Sequence, residues 1–377
     1  MRITKLQVLT SKQPLILPEP WHAAWRGPLA APITSFAFSF YKLYTDQGIV
    51  GVGPNTGYAH PETIIGQDPF WVEAFWEAHM SGRRSGSAGQ GGAGIEIALW
   101  DIIAKAAGLP LYKLLGARHD RILVYAATSR LLASQALAEE ALQLQAQGFQ
   151  ALKLRLHRAD VRDDVAAVVA VREAVGEKMR ILVDANQNNP GEGYCFWSRQ
   201  TAQRMARELD ALGVYYLEEP LPRTDIEGLA EIADMVDMFI AGGEHTPTVY
   251  DFREHLMRGA YDIIQPDVIL GGNYGISGIR KAALLADYCG RLIVPHVMSG
   301  AHNALDIAAT AHAMATVSNC PLVEYPYDPP ILTPETSQAA VQEPVLVDAD
   351  GYVTLSDRPG LGVTLDETQL MVTAEYA

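Results

Sequence analysis

Three acidic residues follow apolar runs that have the composition of β-strands. The runs are ILVDAN (181–186), VYYLEEP (214–220) and MFIAGGE (238–244), and they carry Asp184, Glu218 and Glu244. Successive acids are about one strand and one helix apart, as in a parallel βα sheet. In a closed barrel of this kind the carboxyl ends of the strands face one mouth, where three carboxylates would repel one another. Carboxylate oxygens are the ligands of hard cations, so the sequence predicts a Mg²⁺ site.

The composition is that of a soluble globular protein and limits the partners it can bind. With 377 residues, 49% of them hydrophobic, the chain can bury a large core as two domains or as a barrel with additions. A net charge of −15 without clustered Lys and Arg argues against nucleic acid. Because there is neither an 18-residue apolar run nor a secretory signal, we predict a cytoplasmic protein with no membrane partner. Cys195, Cys289 and Cys320 are widely spaced, which fits a reducing compartment.

The first 120 residues have the pattern of a small α+β domain. Residues 1–55 alternate in the manner of an antiparallel sheet, interrupted by a Pro-rich loop at roughly 15–32. Helical periodicity follows at 68–79 and 95–108, on either side of a Gly/Ser-rich tract (81–94) that we predict to be a mobile loop.

From residue 121 the pattern changes to short strands that alternate with longer helices. The strand runs are 121–129, 151–157, 181–186, 214–220, 238–244, 261–267, 291–296 and 321–326. Eight strands joined by helices predict a TIM-type barrel over 121–326. A doubly wound sheet is the alternative, but no G-x-G-x-x-G follows the first strand. Residues 327–377 lack helical periodicity, and we expect them to return to the N-terminal domain (1–120).

Polar residues recur where the predicted barrel strands end. Because side chains alternate along a strand, Lys153, Arg155 and His157 share one face of the second strand. Later strands end in Asn186, Asp267, His296 and Glu324, in addition to the three acids. Asp267 and His296 occupy equivalent positions on adjacent strands, so we expect them to form a general acid/base pair. A buried pair that merely fixes the strand ends is the alternative.

The remaining histidines have less specific settings. His22, His60 and His302 fit surface or loop positions, and His245 directly follows a predicted metal ligand, so we expect it to point away from the cavity.

An ordered set of motifs resembles the enolase superfamily and, within it, the mandelate racemase/muconate lactonizing enzyme family. The motifs are IEIALWDIIAKAAGLPLYKLLG (95–116), KLR (153–155), VDANQ (183–187), LEEP (217–220), GGEH (242–245), QPD (265–267) and PH (295–296). The resemblance implies a modified (β/α)7β barrel with an α+β capping domain built from both termini. It also implies a homo-oligomer, and Mg²⁺ bound by Asp184, Glu218 and Glu244. The implied reaction removes a proton α to a carboxylate and gives a metal-stabilised enediolate.

The resemblance also implies catalytic roles. His296 with Asp267 would take or deliver a proton, Lys153 would add positive charge, and Glu324 would hydrogen-bond the substrate carboxylate if protonated. The usual K-x-K of the subgroup is Lys153-Leu154-Arg155 here. Arg has a pKa of about 12.5 or higher, so Arg155 suits a charge clamp better than a base.

Replacement of the second base by Arg155 favours a one-base reaction. We therefore predict an acid-sugar dehydratase that converts an aldonate or aldarate to the 2-keto-3-deoxy acid. A racemase, epimerase or cycloisomerase of a related acid or lactone is the alternative, and a sugar-acid-binding protein without catalysis is a third hypothesis.

Substrate specificity is expected to depend on the predicted cap. The segment GVGPN (51–55) lacks the acid that often follows this strand in the family, so no named specificity transfers. In the family, loops near residues 20 and 55 close over the barrel mouth. The candidate substrate-binding residues are Trp21, His22, Trp25, Arg26, Asn55 and Tyr58 on these loops, together with Asn186 on the barrel.

Overall fold

The N-terminal part of the protein is an antiparallel sheet covered by helices. The computed structural model describes residues 1–58, 60–81, 91–188, 191–194, 196–271, 274–301 and 303–377. The elements of this part are β1 (Ile3–Ser11), β2 (Leu15–Trp21), β3 (Ile33–Phe36), β4 (Ser39–Thr45), β5 (Val50–Pro54), α1 (Val72–His79), α2 (Ala93–Ala106) and α3 (Leu111–Leu114). Most of the Gly/Ser-rich tract predicted to be mobile lies outside the described residues.

Helix α2 lies directly on strand β5, and the glycines of GVGPN permit this contact. A Cβ atom at Gly51 would meet the Ala98 carbonyl oxygen, and one at Gly53 would meet that of Gly94. Two glycines in this strand therefore serve the close approach of the helix.

The prediction of a loop over 15–32 is wrong for residues 15–21. Residues 15–21 form β2, which pairs antiparallel with β3 in a separate two-stranded sheet. Pro18 and Pro20 argue against a strand in the sequence, because proline has no N–H to donate to a sheet ladder. The strand tolerates them because it lies at an edge, where the missing N–H groups need no partner. The alternating residues at 33–45 are divided between β3 and β4.

A parallel, curled sheet of eight strands forms the centre of the molecule, as predicted. In chain order the barrel elements are β6 (Arg121–Ala127), α4 (Ser134–Ala146), β7 (Ala151–Arg155), α5 (Val161–Val175), β8 (Arg180–Asp184), α6 (Arg199–Ala211), β9 (Tyr216–Glu218), α7 (Ile226–Ala233), β10 (Phe239–Gly242), α8 (Val249–Met257), β11 (Ile263–Ile264), α9 (Gly275–Tyr288), β12 (Leu292–Ile293), α10 (Asn303–Met314) and β13 (Val323–Pro326). Sheet neighbours follow chain order from β6 to β12, and β13 returns to pair with β6. The Ile293 N–H donates to the Asn319 carbonyl and connects β12 to the segment before β13.

The C-terminal residues contact both parts of the molecule. Their elements are α11 (Pro334–Ser337), β14 (Tyr352–Thr354) and β15 (Leu370–Tyr376). Strand β14 pairs antiparallel with β6 of the barrel, whereas β15 pairs with β1 and forms an edge of the N-terminal sheet. Of the helices in the described ranges, none has the length and apolar composition needed to cross a membrane.

Candidate active site

Strand alternation places a layer of polar side chains directly above an apolar layer inside the barrel. The apolar layer includes Tyr125, Ala151, Leu182, Tyr216, Ile263, Val294 and Leu322. Two residues further along their strands come Lys153, Asp184, Glu218, Gln265, His296 and Glu324, all of them buried. A period of two keeps each polar residue on the inward face of its strand. The barrel sequence therefore aims these groups at one mouth.

Each predicted metal ligand contacts a cationic or imidazole side chain. Arg155 Nη1 pairs with Asp184 Oδ2, and Lys153 Nζ lies 2.9 Å from Glu218 Oε2. His296 Nε2 lies 3.1 Å from Glu244 Oε2. Buried charges require such partners, because their hydration has been lost.

The carboxylates nevertheless leave an excess of negative charge. Burial and the neighbouring Asp184 raise the pKa of Glu218 to about 7, although Lys153 opposes this shift. Burial would also raise the pKa of Glu244, but His296 and His245 hold it below its usual range. Strongly shifted acids that lie this close together are typical of a functional site.

The chemistry of these acids fits Mg²⁺. Asp184 and Glu218 are directly opposite each other on adjacent strands, and Glu218 Oε1 is buried with no hydrogen-bond partner among the described residues. Carboxylate oxygens suit a hard divalent cation. Within the described ranges no three Asp, Glu, His or Cys side chains form a ready metal site. Arg155 and Lys153 contact two of the acids instead. Asp184 and Glu244 would have to exchange their present contacts for the ion.

Asp267 and His296 form the hydrogen-bonded pair expected from the sequence. His296 Nδ1 lies 2.6 Å from Asp267 Oδ2, and the other carboxylate oxygen accepts from the backbone N–H groups of Ile269 and Leu270. Because a carboxylate only accepts, Nδ1–H must donate, which leaves Nε2 facing Glu244. Burial alone would lower the pKa of His296, but Glu244, Glu324 and Asp267 raise it to about 10.

Glu324 is bound to Lys153 rather than free. Lys153 Nζ lies 2.9 Å from Glu324 Oε1, and the Val297 N–H donates to Oε2 at 3.3 Å. Burial would raise the pKa of Glu324, yet Lys153 and His296 hold it below its ordinary value. This geometry therefore favours the carboxylate, not the protonated form considered from the sequence.

The cap loop near residue 20 reaches the barrel mouth through Trp25, and Trp21 Nε1 donates to Ser129 Oγ just after β6 at 2.9 Å. The Trp25 ring lies 4.7 Å from the Arg155 guanidinium carbon, and Trp21 packs edge-on against Trp25. Arg26 donates from Nη1 to the Ala31 carbonyl at 2.8 Å, within its own loop. The His22 side chain is exposed.

Two of the predicted specificity residues have contacts within the cap. Asn55 donates to Ser39 Oγ and accepts from the Gly57 N–H, as in a local turn. The Tyr58 ring is buried against Phe75 in a separate apolar cluster of the cap, with its hydroxyl near Thr63 and His79. Neither residue is part of the polar layer of the barrel, and their role as substrate ligands stays a prediction.

Three further residues near the barrel mouth were not among the predicted site residues. His157, noted on the inward face of β7, hydrogen-bonds Asn186 and stacks on Tyr194. Alternation along β7 was a usable signal for His157, whereas nothing in the sequence marks Tyr194. His245, expected to point away, lies with Nε2 3.2 Å from Glu244 Oε1. His302 lies outside the described residues.

Two family models match successive parts of the chain. Residues 22–116 match the mandelate racemase/muconate lactonizing enzyme N-terminal domain, and 136–369 match the enolase C-terminal domain-like model. A barrel with inward acids beneath an antiparallel cap is the arrangement of this class. The chain belongs to the mandelate racemase/muconate lactonizing enzyme family of the enolase superfamily.

Individual relatives agree with this assignment. L-talarate/galactarate dehydratase of Salmonella typhimurium is 33% identical over 359 residues, covering 89% of this chain and 82% of that protein. D-galactarolactone cycloisomerase of Agrobacterium fabrum is 33% identical over 353 residues, covering 87% and 89%. The crystal structure of L-talarate dehydratase from Polaromonas sp. JS666 with Mg and L-glucarate is 28% identical, with a TM-score of 0.81, covering 100% of this chain and 99% of that one.

Proposed function

We propose that the protein is a Mg²⁺-dependent acid-sugar dehydratase that converts an aldonate or aldarate into its 2-keto-3-deoxy acid. The observation that carries the proposal is the combination of one Asp-oriented imidazole, His296, with a guanidinium, Arg155, paired to Asp184. A guanidinium stays protonated and cannot serve as a second base. Relatives named as dehydratases of talarate/galactarate, arabinonate and xylonate support this reaction class.

Glu244 contributes most to the raised pKa of His296, so the neutral imidazole would be favoured once Glu244 turns to Mg²⁺. In the proposed reaction, Nε2 of the neutral His296 removes the proton α to the substrate carboxylate. The electron pair of that C–H bond forms a double bond to the β-carbon as the β-hydroxyl leaves. The same imidazolium protonates this hydroxyl to give water, and the enol product becomes the 2-keto-3-deoxy acid. Asp267 keeps the imidazole in its orientation throughout.

Asp184, Glu218 and Glu244 would hold Mg²⁺, which supplies positive charge where the substrate carboxylate gains negative charge. Lys153 adds a second, fixed positive charge, because it is fully buried between Glu218 and Glu324. Charges fixed before the reaction stabilise a developing anion without reorganisation.

Arg155, Asn186 and Trp25 are the proposed substrate-binding residues. Arg155 is buried beneath the Trp25 ring and hydrogen-bonds to Asn186, so all three are at one opening. His22 and Arg26 stay candidates for a distal hydroxyl or second carboxylate, since they belong to the same cap loop. We further propose that the protein is cytoplasmic and forms a homo-oligomer. Light scattering of the purified protein would test its oligomeric state.

A panel of aldonates and aldarates tests the reaction. We expect Mg²⁺-dependent release of a 2-keto-3-deoxy acid from at least one substrate, and a drop in kcat of at least about 100-fold in His296→Asn, the range of a general base. Lys281→Met removes a lysine that pairs with Glu73 on the surface and serves as the control. Deuterium exchange without keto acid from any substrate would contradict dehydration.

Cycloisomerisation is the second candidate, because D-galactarolactone cycloisomerase is as similar to this chain as the dehydratase above. Proton NMR of incubations with aldarolactones distinguishes the two reactions. An isomerised product of unchanged mass would identify a cycloisomerase.

A further inference from the structure

His157 is a buried imidazole of the barrel mouth that the proposed reaction does not use. It continues the inward face of β7 one alternation beyond Arg155 and is only 5% exposed. Its ring stacks on Tyr194, with centroids 5.1 Å apart and planes inclined by 28°. The stack restricts rotation of the imidazole and fixes the direction of its two nitrogens.

The hydrogen bonds of Asn186 determine which nitrogen of His157 carries the proton. Arg155 Nη1 lies 3.3 Å from Asn186 Oδ1, and His157 Nε2 lies 2.8 Å from the same atom. A guanidinium only donates, so the atom facing it must be the amide oxygen. His157 must then donate through Nε2–H, which leaves the lone pair on Nδ1. Burial lowers the pKa of His157 to about 4, in agreement with a neutral ring.

The same contacts orient the nitrogen of the Asn186 amide. Its oxygen accepts two hydrogen bonds, whereas its nitrogen has no partner in the described part of the chain. The backbone of Asn186 has a φ of 43° and its N–H donates to Asp184 Oδ1 at 2.7 Å. Backbone and side chain are therefore both constrained, two residues beyond a proposed metal ligand.

We propose that His157 is a positioning residue that holds the Asn186 amide with its nitrogen available to donate to an oxygen of the bound acid sugar. At 3.3 Å the Arg155 contact is the weaker of the two hydrogen bonds to the amide oxygen, so the 2.8 Å bond from His157 contributes more to holding the amide in this orientation. A misdirected amide oxygen would face a substrate carboxylate or hydroxyl oxygen and weaken binding. This role rests on the proposed function, which it refines.

Nitrogen NMR of the Mg²⁺-loaded protein tests the tautomer without any substrate. With ¹⁵N-histidine labelling, we expect one ring, assigned by its loss in His157→Phe, to carry hydrogen on Nε2 and a lone pair on Nδ1 at pH 7. A ring protonated at Nδ1, or at both nitrogens, would overturn the proposal. Because no turnover is required, this result is independent of whether the protein is a dehydratase.

A double-mutant cycle tests whether His157 acts through Asn186. His157→Phe keeps the stack on Tyr194 but cannot donate, so we expect KM to rise about tenfold while kcat changes less. In the Asn186→Ala background, His157→Phe should not raise KM further. His157→Gln can still donate a hydrogen bond, so its KM should lie between those of the wild type and His157→Phe. Additive losses, or an unchanged KM in His157→Phe, would overturn the proposal.

His255 offers a matched control elsewhere in the barrel. It is also 5% exposed, stacks on Tyr261 at 4.9 Å and hydrogen-bonds through Nε2 to the Arg223 carbonyl. His255→Phe should keep the wild-type KM and kcat even where it lowers stability. If it raised KM as much as His157→Phe does, the effect would come from general loss of packing and the positioning role would be excluded. If no acid sugar is turned over, the proposed function fails and the NMR result alone decides the orientation of the amide.

Discussion

At the scale of single residues, burial makes His312 a source of acid sensitivity. Its Nδ1 accepts from the Tyr112 N–H at 3.1 Å and its Nε2 lies 3.1 Å from the Leu361 carbonyl. Nε2 therefore already carries a hydrogen, and a second proton on Nδ1 would break the bond from the Tyr112 N–H. Burial lowers the pKa of His312 to about 4. In the unfolded chain the pKa is about 6.5.

We predict that His312 lowers the free energy of unfolding as the pH falls from about 6.5 to about 4. In this window the unfolded chain binds a proton that the folded protein does not, so acid favours unfolding. The effect is on the order of 3 kcal/mol at pH 4, since each pKa unit corresponds to about 1.4 kcal/mol. Urea denaturation at several pH values should show a weaker pH dependence in His312→Gln, and no change in the exposed control His22→Gln. Equal pH dependence in all three proteins would contradict the prediction.

At the scale of elements, two loops meet at the barrel mouth by close backbone contact. Arg26 accepts at its carbonyl from the Glu192 N–H at 3.0 Å. A Cβ atom at Gly27, where φ is +85°, would collide with the Glu192 backbone. The cap loop bearing Trp25 is thereby held against the segment that follows β8, so its position over Arg155 depends on a glycine.

We predict that Gly27→Ala separates these loops and lowers kcat/KM by at least about tenfold, because the Trp25 contact with Arg155 would be displaced. Gly66→Ala is the control, since Gly66 has a similar φ of +79° but an added methyl group there would meet no described atom within 4 Å. Both changes should cost about 1 kcal/mol of stability from backbone strain. Steady-state kinetics with thermal denaturation separate the two effects, and equal activities in the variants would refute the role of the loop contact.

At the scale of the whole molecule, a buried acid joins the cap to the barrel. Glu96 of α2 accepts hydrogen bonds from the backbone N–H groups of Ile276 and Ser277, at 2.8 and 2.9 Å, in the first turn of α9. Trp100 of the same cap helix donates to Glu96 at 2.9 Å. A carboxylate at a helix N-terminus satisfies N–H groups that lack partners within the helix.

We predict that Glu96→Ala lowers the free energy of unfolding by about 2–5 kcal/mol, because two buried N–H groups lose their acceptor. The free energy of unfolding of Glu96→Gln should lie between those of the wild type and Glu96→Ala, because an amide keeps one acceptor oxygen. Urea denaturation of the wild-type protein and both variants measures this change. The transitions followed by tryptophan fluorescence and by circular dichroism should coincide in each protein. Separate transitions for the two probes in the wild-type protein would show that cap and barrel unfold independently.

Much of the barrel was predictable because its strands are marked by patterns between residues that are close in the sequence. The alternation of Lys153 and Arg155, and the acids that follow apolar runs, depend only on a period of two and on strand ends that face one mouth. These features predicted the eight strands, the polar layer and the pairing of Asp267 with His296. The strand at 15–21 was missed, since its prolines contradict the local propensity and only its edge position permits them.

The sequence by itself determined the inward face of each strand, because a period of two encodes it, and its resemblance to the enolase superfamily indicated the order of the strands and the class of chemistry. Only the tertiary structure decided that Trp25 covers Arg155, that His157 stacks on Tyr194 and that Tyr58 lies in the cap core. Such contacts join segments that are distant in the chain or separated by an irregular loop. Their existence depends on how the cap and loops pack on the barrel, which no local pattern records.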